Sequence, residues 1–263
     1  MPSTADLIAA FLAAEARRGV KASTIGRRAA AIRYAHRAGG FDDPTQQESV
    51  RRVLRGIRRT LGSSPHQKAP ATVEIVAAMV SHCLGNLTGI RDRALLTLGF
   101  AGAFRRSELA ALDVTDLDFQ SEGLRVAIRR SKTDQEGVGQ EVAIPYGRTL
   151  KPVDAVRRWL TAAKIEDSAV FRPISRSQNM RQNARLTSES IARIIKAYAD
   201  AAGYDACEFS GHSLRAGFVT SAADRDVSET RIMDVTRHKD SRTVRTYIRR
   251  ANLFKESAGQ KFL

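Results

Sequence analysis

A short stretch of turn-forming residues, 62–70, divides the chain into two segments of different character. Glycine, serine and proline interrupt regular structure there, and no apolar periodicity runs through the stretch, so it is typical of a linker. The length of 263 residues is enough for two separate hydrophobic cores. The sequence therefore predicts a small N-terminal domain over residues 1–66 and a larger domain over residues 67–263.

The first segment has the apolar periodicity of helices. A first stripe recurs at helical spacing, at Leu7, Ile8, Phe11 and Leu12. Gly19 ends this pattern, and Ser23 is placed to cap a second helix that ends before residues 39–40. Asp43 followed by Pro44 combines a cap with a first-turn proline, which predicts the start of a third helix.

The third helix combines an apolar stripe with an arginine-rich face. The stripe consists of Val50, Val53, Leu54, Ile57 and Leu61. Off the stripe lie five arginines: Arg51, Arg52, Arg55, Arg58 and Arg59. A solvated face would also explain these arginines. Because guanidinium groups match phosphate oxygens, binding to a phosphate backbone is the favoured interpretation.

The second segment is mostly helical, with a small antiparallel sheet. Helical periodicity predicts helices at 73–80, 90–100, 107–112, 153–163, 188–202, 213–223, 229–235 and 241–250, and a last short helix within 253–263. Alternation around Val126 and again around Val142 predicts two strands, joined by a hairpin loop over 131–140. The predicted fold class is mainly α with a small antiparallel β-sheet, in two domains.

The charge of the chain favours a polyanion as its partner. The net charge is +15, of which +7 lies in residues 1–66. No apolar run is long enough for a membrane span, and the first ten residues lack the features of a signal peptide. Cys83 and Cys207 fit neither a disulfide scaffold nor a metal motif, which favours a reducing cytoplasm.

Polar residues at two predicted helix starts are candidates for an anion site. His212 and Arg215 lie three apart on one helix face, with Ser210 as the candidate cap. Such a pair is also common on ordinary solvated helices. Arg105 and Glu108 open another helix, where either an internal arginine with a local carboxylate or a surface ion pair explains them.

A second candidate region lies closer to the C-terminus. His238 and Tyr247 are nine residues apart, which would place them on opposite faces of one unbroken helix. Capping residues at 239–241 predict a break, which would let the imidazole and the phenol share one pocket. A core tyrosine is the alternative for Tyr247. Lys132 lies at the predicted hairpin tip, where a lysine is ordinarily solvated.

Taken together, in this order and at this spacing, these segments resemble the tyrosine recombinase, or phage integrase, family, and most closely its Cre-like type. The resemblance covers essentially the whole chain. Its motifs are an arginine two residues before a Ser-Glu pair, a hairpin lysine, a His-x-x-Arg box and a histidine nine residues before a tyrosine. The matching residues are Arg105, Lys132, His212, Arg215, His238 and Tyr247. Six matches at family spacing are specific, whereas none would be specific alone.

The resemblance implies a site-specific enzyme that cleaves and rejoins DNA through a 3′-phosphotyrosine, with Tyr247 as the nucleophile. Three groups would bind the scissile phosphate: Arg105, Arg215 and His238. Lys132 would protonate the leaving 5′ oxygen, and His212 would transfer a proton to or from the tyrosine. Glu108 would position Arg105 or His212. No metal or other cofactor is expected, because the arginines supply the positive charge.

The same resemblance assigns roles to the two domains. Residues 1–66 would be a core-binding domain, shortened at its N-terminus, which clamps double-stranded DNA together with the catalytic domain 67–263. The tail 251–263 would pack into a neighbouring subunit of a tetramer, with packing onto its own subunit as the alternative. The expected substrates are recombination sites of a mobile element or replicon.

Two features depart from the family pattern. Arg237 stands where a glycine commonly precedes the last histidine, and it could change the turn or add a phosphate contact. Residues 103–104, before Arg105, are Ala-Phe where a smaller or aliphatic pair is usual. Two other functions fit the same residues: DNA relaxation of the type IB topoisomerase kind, and site binding without cleavage.

Overall fold

The computed structural model describes residues 2–62, 68–129, 139–238 and 240–251. The chain forms two compact units, Met1–Gln67 and Lys68–Leu263. The first unit is helical, and the second combines helices with one small antiparallel sheet. The predicted fold class is therefore confirmed. Within the described ranges, no helix is long and apolar enough to cross a membrane.

The described part of the first unit contains three α-helices: α1 (Ala5–Arg17), α2 (Ala22–Ala38) and α3 (Glu48–Leu61). They enclose a small core made of Ile8, Leu12, Ile25, Ala29, Val50 and Ile57. The chain leaves α1 at the predicted place, because Gly19 adopts a φ of +77°, a left-handed conformation that glycine takes at no steric cost.

Two local predictions in this unit are wrong. Ser23 does not cap α2, which begins one residue before it and has no side-chain cap. Asp43 accepts a hydrogen bond from the Thr45 amide at 3.0 Å, but it opens a 3-10 turn, Pro44–Gln46, rather than α3 itself. Both apolar stripes are only partly buried, since Leu7, Phe11 and Leu61 are 60%, 42% and 43% exposed and lie outside the core of this unit.

The described part of the second unit contains eight α-helices: α4 (Val73–Ser81), α5 (Leu87–Ala101), α6 (Arg106–Ala111), α7 (Pro152–Ala163), α8 (Ser188–Ala201), α9 (Ser213–Asp224), α10 (Glu229–Thr236) and α11 (Ser241–Ala251). Each agrees with its predicted helix to within three residues at both ends. Trp159 lies fully buried in the core, where its indole nitrogen donates to the Val170 carbonyl at 2.7 Å. The indole therefore brings no unsatisfied donor into the core.

Among the described residues, the sheet has three antiparallel strands in chain order: β1 (Leu117–Phe119), β2 (Gly123–Ile128) and β3 (Gln140–Pro145). Val126 lies opposite Leu117 on one side and Val142 on the other. The sequence did not predict β1, because three residues are too few to show an alternation. Gln140, assigned to the hairpin loop, is the first residue of β3. Residues 130–138 of that loop lie outside the described part of the chain.

The residues that precede α4 lie against α9. The Ala71 amide donates to the Ser213 carbonyl, and the Val73 amide donates to the Ser221 hydroxyl, both at 2.9 Å. A Cβ atom at Gly217 would lie 1.7 Å from the Ala71 carbonyl oxygen. Only glycine fits at this close approach, so the position of α9 is fixed by backbone contacts.

Candidate active site

A tight turn after α5 brings Arg105 to the start of α6. Arg105 is the N-cap of this helix. The Glu108 carboxylate accepts the Arg105 backbone amide at 2.9 Å through Oε2 and its guanidinium Nη1 at 2.5 Å through Oε1. Burial raises the pKa of Glu108, but Arg237 and Arg105 lower it to below its ordinary value. Glu108 therefore contacts Arg105, one of its two expected partners, as an ionised carboxylate.

Arg215 lies in the first turn of α9 and is 1% exposed. Its Nη1 donates to the Ala103 carbonyl at 2.9 Å, whereas its Nε and Nη2 are buried with no hydrogen-bond partner among the described residues. Burial and the charges of Arg105 and Arg237 lower the pKa of Arg215 to about 9, so the group is cationic at neutral pH. Because buried donors without acceptors are costly, the pocket is suited to an anion that supplies acceptors.

His212 is the N-cap residue of α9. Ser210, the predicted cap, is not the N-cap, because the helix begins only at Ser213; its hydroxyl instead accepts the His212 amide at 3.2 Å. Protein atoms displace part of the water around the ring, and this desolvation, followed by the charges of Arg215 and Arg105, lowers the pKa of His212. The imidazole is therefore neutral near pH 7.

His238 follows a break in the helical structure, as predicted. α10 ends at Thr236 and α11 begins at Ser241, where Asp240 accepts the Arg242 amide at 2.9 Å. The Nδ1 atom of His238 lies 2.8 Å from the Thr236 hydroxyl. Burial lowers the pKa of His238 to about 4, together with the positive charges of the neighbouring arginines.

Tyr247 lies in the middle of α11 and is half-buried. Its ring packs on an apolar cluster formed by Val219, Ala223, Ile232 and Val244. Electrostatic interactions join Arg215 to Tyr247 and to Arg105, and join both histidines to these arginines. The structure thus brings together five of the six residues predicted for one site: Arg105, His212, Arg215, His238 and Tyr247.

Arg237 belongs to the same pocket, although in the sequence it stands out only as a departure from the family pattern. Its guanidinium Nη2 donates to Glu108 Oε2 at 2.8 Å. The guanidinium carbon Cζ lies 5.3 Å from the centre of the Phe104 ring. Its φ is +57°, so the turn keeps the left-handed backbone that favours glycine. An arginine at a position suited to glycine was the one available signal of this contact.

Comparison of the chain with known protein families gives the same assignment as the geometry of the pocket. Residues 71–253 match the family model described as "Phage integrase family". The chain belongs to the phage integrase family. The resemblance inferred from the sequence is therefore confirmed, and with it the enzyme class, a tyrosine-type site-specific recombinase of DNA.

Relatives within the phage integrase family align with most of the chain. The integrase/recombinase xerD homolog of Selenomonas ruminantium is 42% identical over 244 residues, covering 90% of this chain and 71% of the relative. The recombinase cre of Escherichia phage P1 is 25% identical, covering 88% and 72%, so the chain is more similar to the xerD homolog than to the Cre-like type expected from the motifs. The fold is shared with a XerH site-specific recombinase bound to a difH substrate, with a TM-score of 0.65, 14% identity, and coverage of 98% and 72%.

The other residues predicted to act lie outside the described part of the second unit. Lys132 and the tail residues 252–263 lie outside the described part of the chain. The five arginines of α3 belong to the other unit and are all exposed: Arg51, Arg52, Arg55, Arg58 and Arg59. Arg51 donates to Gln46, and Arg55 pairs with Glu48. The charge of α3 is therefore only partly neutralised within its own unit.

Proposed function

We propose that this tyrosine-type site-specific recombinase cleaves and rejoins DNA through Tyr247, which forms a transient covalent bond to the scissile phosphate. One observation carries the proposal: the buried Arg215 has two donors without partners among the described residues, beside a second arginine, two histidines and a tyrosine. A phosphodiester supplies both the acceptors and the negative charge that these groups require.

The reaction is a transesterification. The phenol oxygen of Tyr247 attacks phosphorus, and the new P–O bond forms as the bond to the 5′ oxygen breaks, which leaves a 3′-phosphotyrosine and a free 5′-hydroxyl. The phenol proton passes to a base, and the leaving oxygen receives a proton. Because the number of phosphate ester bonds is unchanged, the 5′-hydroxyl of another strand reverses the step without an external energy source.

Three side chains stabilise the charge that develops on the non-bridging oxygens. Arg105 and Arg215 donate to these oxygens from fixed positions, one held by Glu108 and the other by the Ala103 carbonyl. His238 is neutral at pH 7 because its pKa is about 4. When the Thr236 hydroxyl donates to Nδ1 of His238, the ring proton resides on Nε2, which then donates to the phosphate.

Two groups transfer protons. His212 is neutral near pH 7, since its pKa is lowered by desolvation and by the nearby arginines, so it accepts the proton of Tyr247 as general base. Lys132, as the family resemblance implies, protonates the leaving 5′ oxygen as general acid. Glu108 acts on neither proton; it positions Arg105.

DNA binding involves the whole chain. Residues 1–66 form the core-binding domain and 67–263 the catalytic domain, and the exposed arginines of α3 contact the phosphate backbone. Net charges of +7 and +8 in these two segments support contact of both with DNA. On recombination sites, in the cytoplasm, the protein assembles as a tetramer, with the tail 251–263 in contact with a neighbouring subunit.

A covalent-trapping experiment tests the chemistry and selects the DNA site in one step. The protein is incubated with a pool of nicked duplexes whose sequence is randomised, and protein–DNA bands that survive denaturant are recovered and sequenced. The wild-type protein should yield a covalent adduct enriched in one sequence. Tyr247→Phe should yield none, whereas Tyr204→Phe, a control that keeps its ring contact with Phe209, should behave as wild type.

Other outcomes of this experiment favour the competing functions. An adduct that persists in Tyr247→Phe would contradict the assignment of the nucleophile. Adducts on all sequences, with relaxation of supercoiled plasmid by a monomer, would indicate a topoisomerase-like enzyme. Sequence-specific gel shifts with no adduct would indicate a protein that binds DNA without cleaving it.

A further inference from the structure

Arg237 lies directly before His238, and the proposed mechanism gives it no role. It is 7% exposed, and its φ is +57°, which is unfavourable for any residue but glycine unless other contacts hold it. We propose that Arg237 is a positioning residue, which fixes the turn that carries His238 against the turn that carries Arg105. The inference rests on the proposed function of the pocket and adds a residue to it.

The guanidinium of Arg237 connects two segments that are far apart in the sequence. Its Nη1 donates to the carbonyl of Val235, in its own turn, at 2.8 Å, and to the carbonyl of Gly102 at 3.1 Å. Its Nη2 donates to Glu108 Oε2 at 2.8 Å and lies 3.4 Å from the Ala103 carbonyl oxygen. One side chain therefore joins the end of α10 to the turn between α5 and α6.

Arg237 also shares an acceptor with each of the two phosphate-binding arginines. The Glu108 carboxylate binds Arg105 through Oε1 and Arg237 through Oε2, so each oxygen has its own guanidinium partner. The Ala103 carbonyl accepts from both Arg215 and Arg237. Without Arg237, Oε2 of Glu108 would keep only the Arg105 amide, so the carboxylate and the Arg105 guanidinium that it binds would be held less firmly.

The geometry assigns Arg237 an indirect role. Both terminal nitrogens already donate to protein acceptors, and the guanidinium lies over the Phe104 ring. Its Nε, like two donors of Arg215, is buried without a partner among the described residues, but both terminal nitrogens of Arg237 are bonded, whereas Nη2 of Arg215 is not. Arg237 therefore acts on the phosphate through its neighbours, Arg105 and His238.

Single-turnover cleavage of the trapped duplex tests this role, with three substitutions. In Arg237→Gln and Arg237→Gly, the cleavage rate at saturating protein should fall about 10- to 100-fold, because small displacements of catalytic groups have effects of this size. The protein concentration that gives half-maximal cleavage should not change. Arg237→Lys should recover part of the rate, since it restores the charge beside Glu108. Arg237→Gly keeps a glycine-compatible turn, so it should fold even if Arg237→Gln does not.

Arg172 provides a matched control for the loss of a buried arginine. It is 5% exposed, and each of its three guanidinium nitrogens donates a hydrogen bond. Nε donates to the Ala169 carbonyl, Nη1 to the Gln182 side chain and Nη2 to the Asp167 carbonyl. Arg172→Gln should lower the melting temperature and leave the cleavage rate of the folded protein unchanged.

Several results would overturn the inference. One is wild-type cleavage rates in Arg237→Gln and Arg237→Gly. Another is a loss of rate that matches the loss of folded protein, as expected of Arg172→Gln. A change in half-maximal concentration alone would assign Arg237 to DNA binding. If the wild-type protein forms no adduct through Tyr247, the proposed function itself fails. If the wild type forms the adduct and the Arg237 variants cleave at the wild-type rate, only this inference fails.

Discussion

The arginines of the pocket and those of α3 have the same side chain in opposite environments. Arg215 and Arg237 are 1% and 7% exposed and are fixed by backbone carbonyls. The five arginines of α3 are exposed, and each can keep its hydration shell. The difference separates two tasks. Under the proposed function, the buried Arg215 holds one phosphate in one place at a cost in stability, whereas the exposed arginines of α3 bind a flexible phosphate backbone without that cost.

The largest effect is expected from replacing Arg215 by a neutral side chain of similar length. In Arg215→Met, cleavage should fall by about 100-fold or more, because hydrogen bonds that stabilise the transition state are removed. The free energy of unfolding should nevertheless rise by about 1 kcal/mol or more, because a buried cation with unbonded donors is removed. Single-turnover cleavage and urea unfolding at pH 7 measure the two quantities.

Arg172→Met is the matched control for this prediction. All the donor groups of Arg172 find acceptors, so its replacement should lower the free energy of unfolding and leave cleavage by the folded protein intact. If Arg215→Met loses stability as Arg172→Met does, the unbonded donors of Arg215 do not destabilise the pocket.

A smaller effect is expected from the response of His238 to acid. The groups that face it are Arg215, Arg105, His212 and Arg237. Its pKa is about 4 in the folded protein and about 6.5 in the unfolded chain. The unfolded state therefore binds the proton first, and stability is lost as the pH falls from 6.5 towards 4. The wild type should lose more stability between pH 7 and pH 5 than His238→Gln, by on the order of 1 kcal/mol.

Urea unfolding of both proteins at pH 7, 6 and 5 measures this difference. Equal losses would mean that the positive charge of the pocket does not act on His238. The arginines of the pocket would then differ from those of α3 in burial, but not in their effect on neighbouring charges.

The smallest effect on the fold is expected from the arginines of α3. The double variant Arg52→Gln/Arg58→Gln should weaken DNA binding to a similar extent on all sequences, and should reduce the slope of log affinity against log salt by about 1 for each phosphate that is no longer bound. The free energy of unfolding should change by less than about 0.5 kcal/mol, because both side chains are exposed. Fluorescence anisotropy with labelled duplexes at several salt concentrations measures the slope.

Arg176→Gln, at an exposed arginine of the second unit, is the control for the loss of charge. An unchanged slope in the α3 double variant would indicate a solvated face with no part in DNA binding.

The helix bounds were predictable because their signals are local. Glycines and apolar spacing lie within a few residues of each helix end, and every predicted helix of the second unit that falls in the described ranges was found, although the caps expected at Ser23 and Ser210 were not. The strand β1 was not predictable, because its three residues form a strand only through pairing with β2. Leu61 fits the apolar spacing of α3 but is exposed, because burial depends on what the neighbouring helices reach.

The candidate site divides in the same way. Arg105, Arg215 and Tyr247 could be selected because family motifs fix their order and spacing. The contact between Arg237 and Glu108 joins residues that are 129 positions apart, and no local pattern reports it. The sequence contained only an arginine where glycine is common.

The left-handed backbone at position 237 also has a genetic consequence. Every glycine codon becomes an arginine codon through a change of its first base from G to C. Because the turn has the φ of +57° that glycine favours, both residues are compatible with the same left-handed turn, and the exchange adds or removes the side chain with its contacts. A family member with glycine at this position would keep the turn before the histidine, and its equivalent of Glu108 would bind a single arginine.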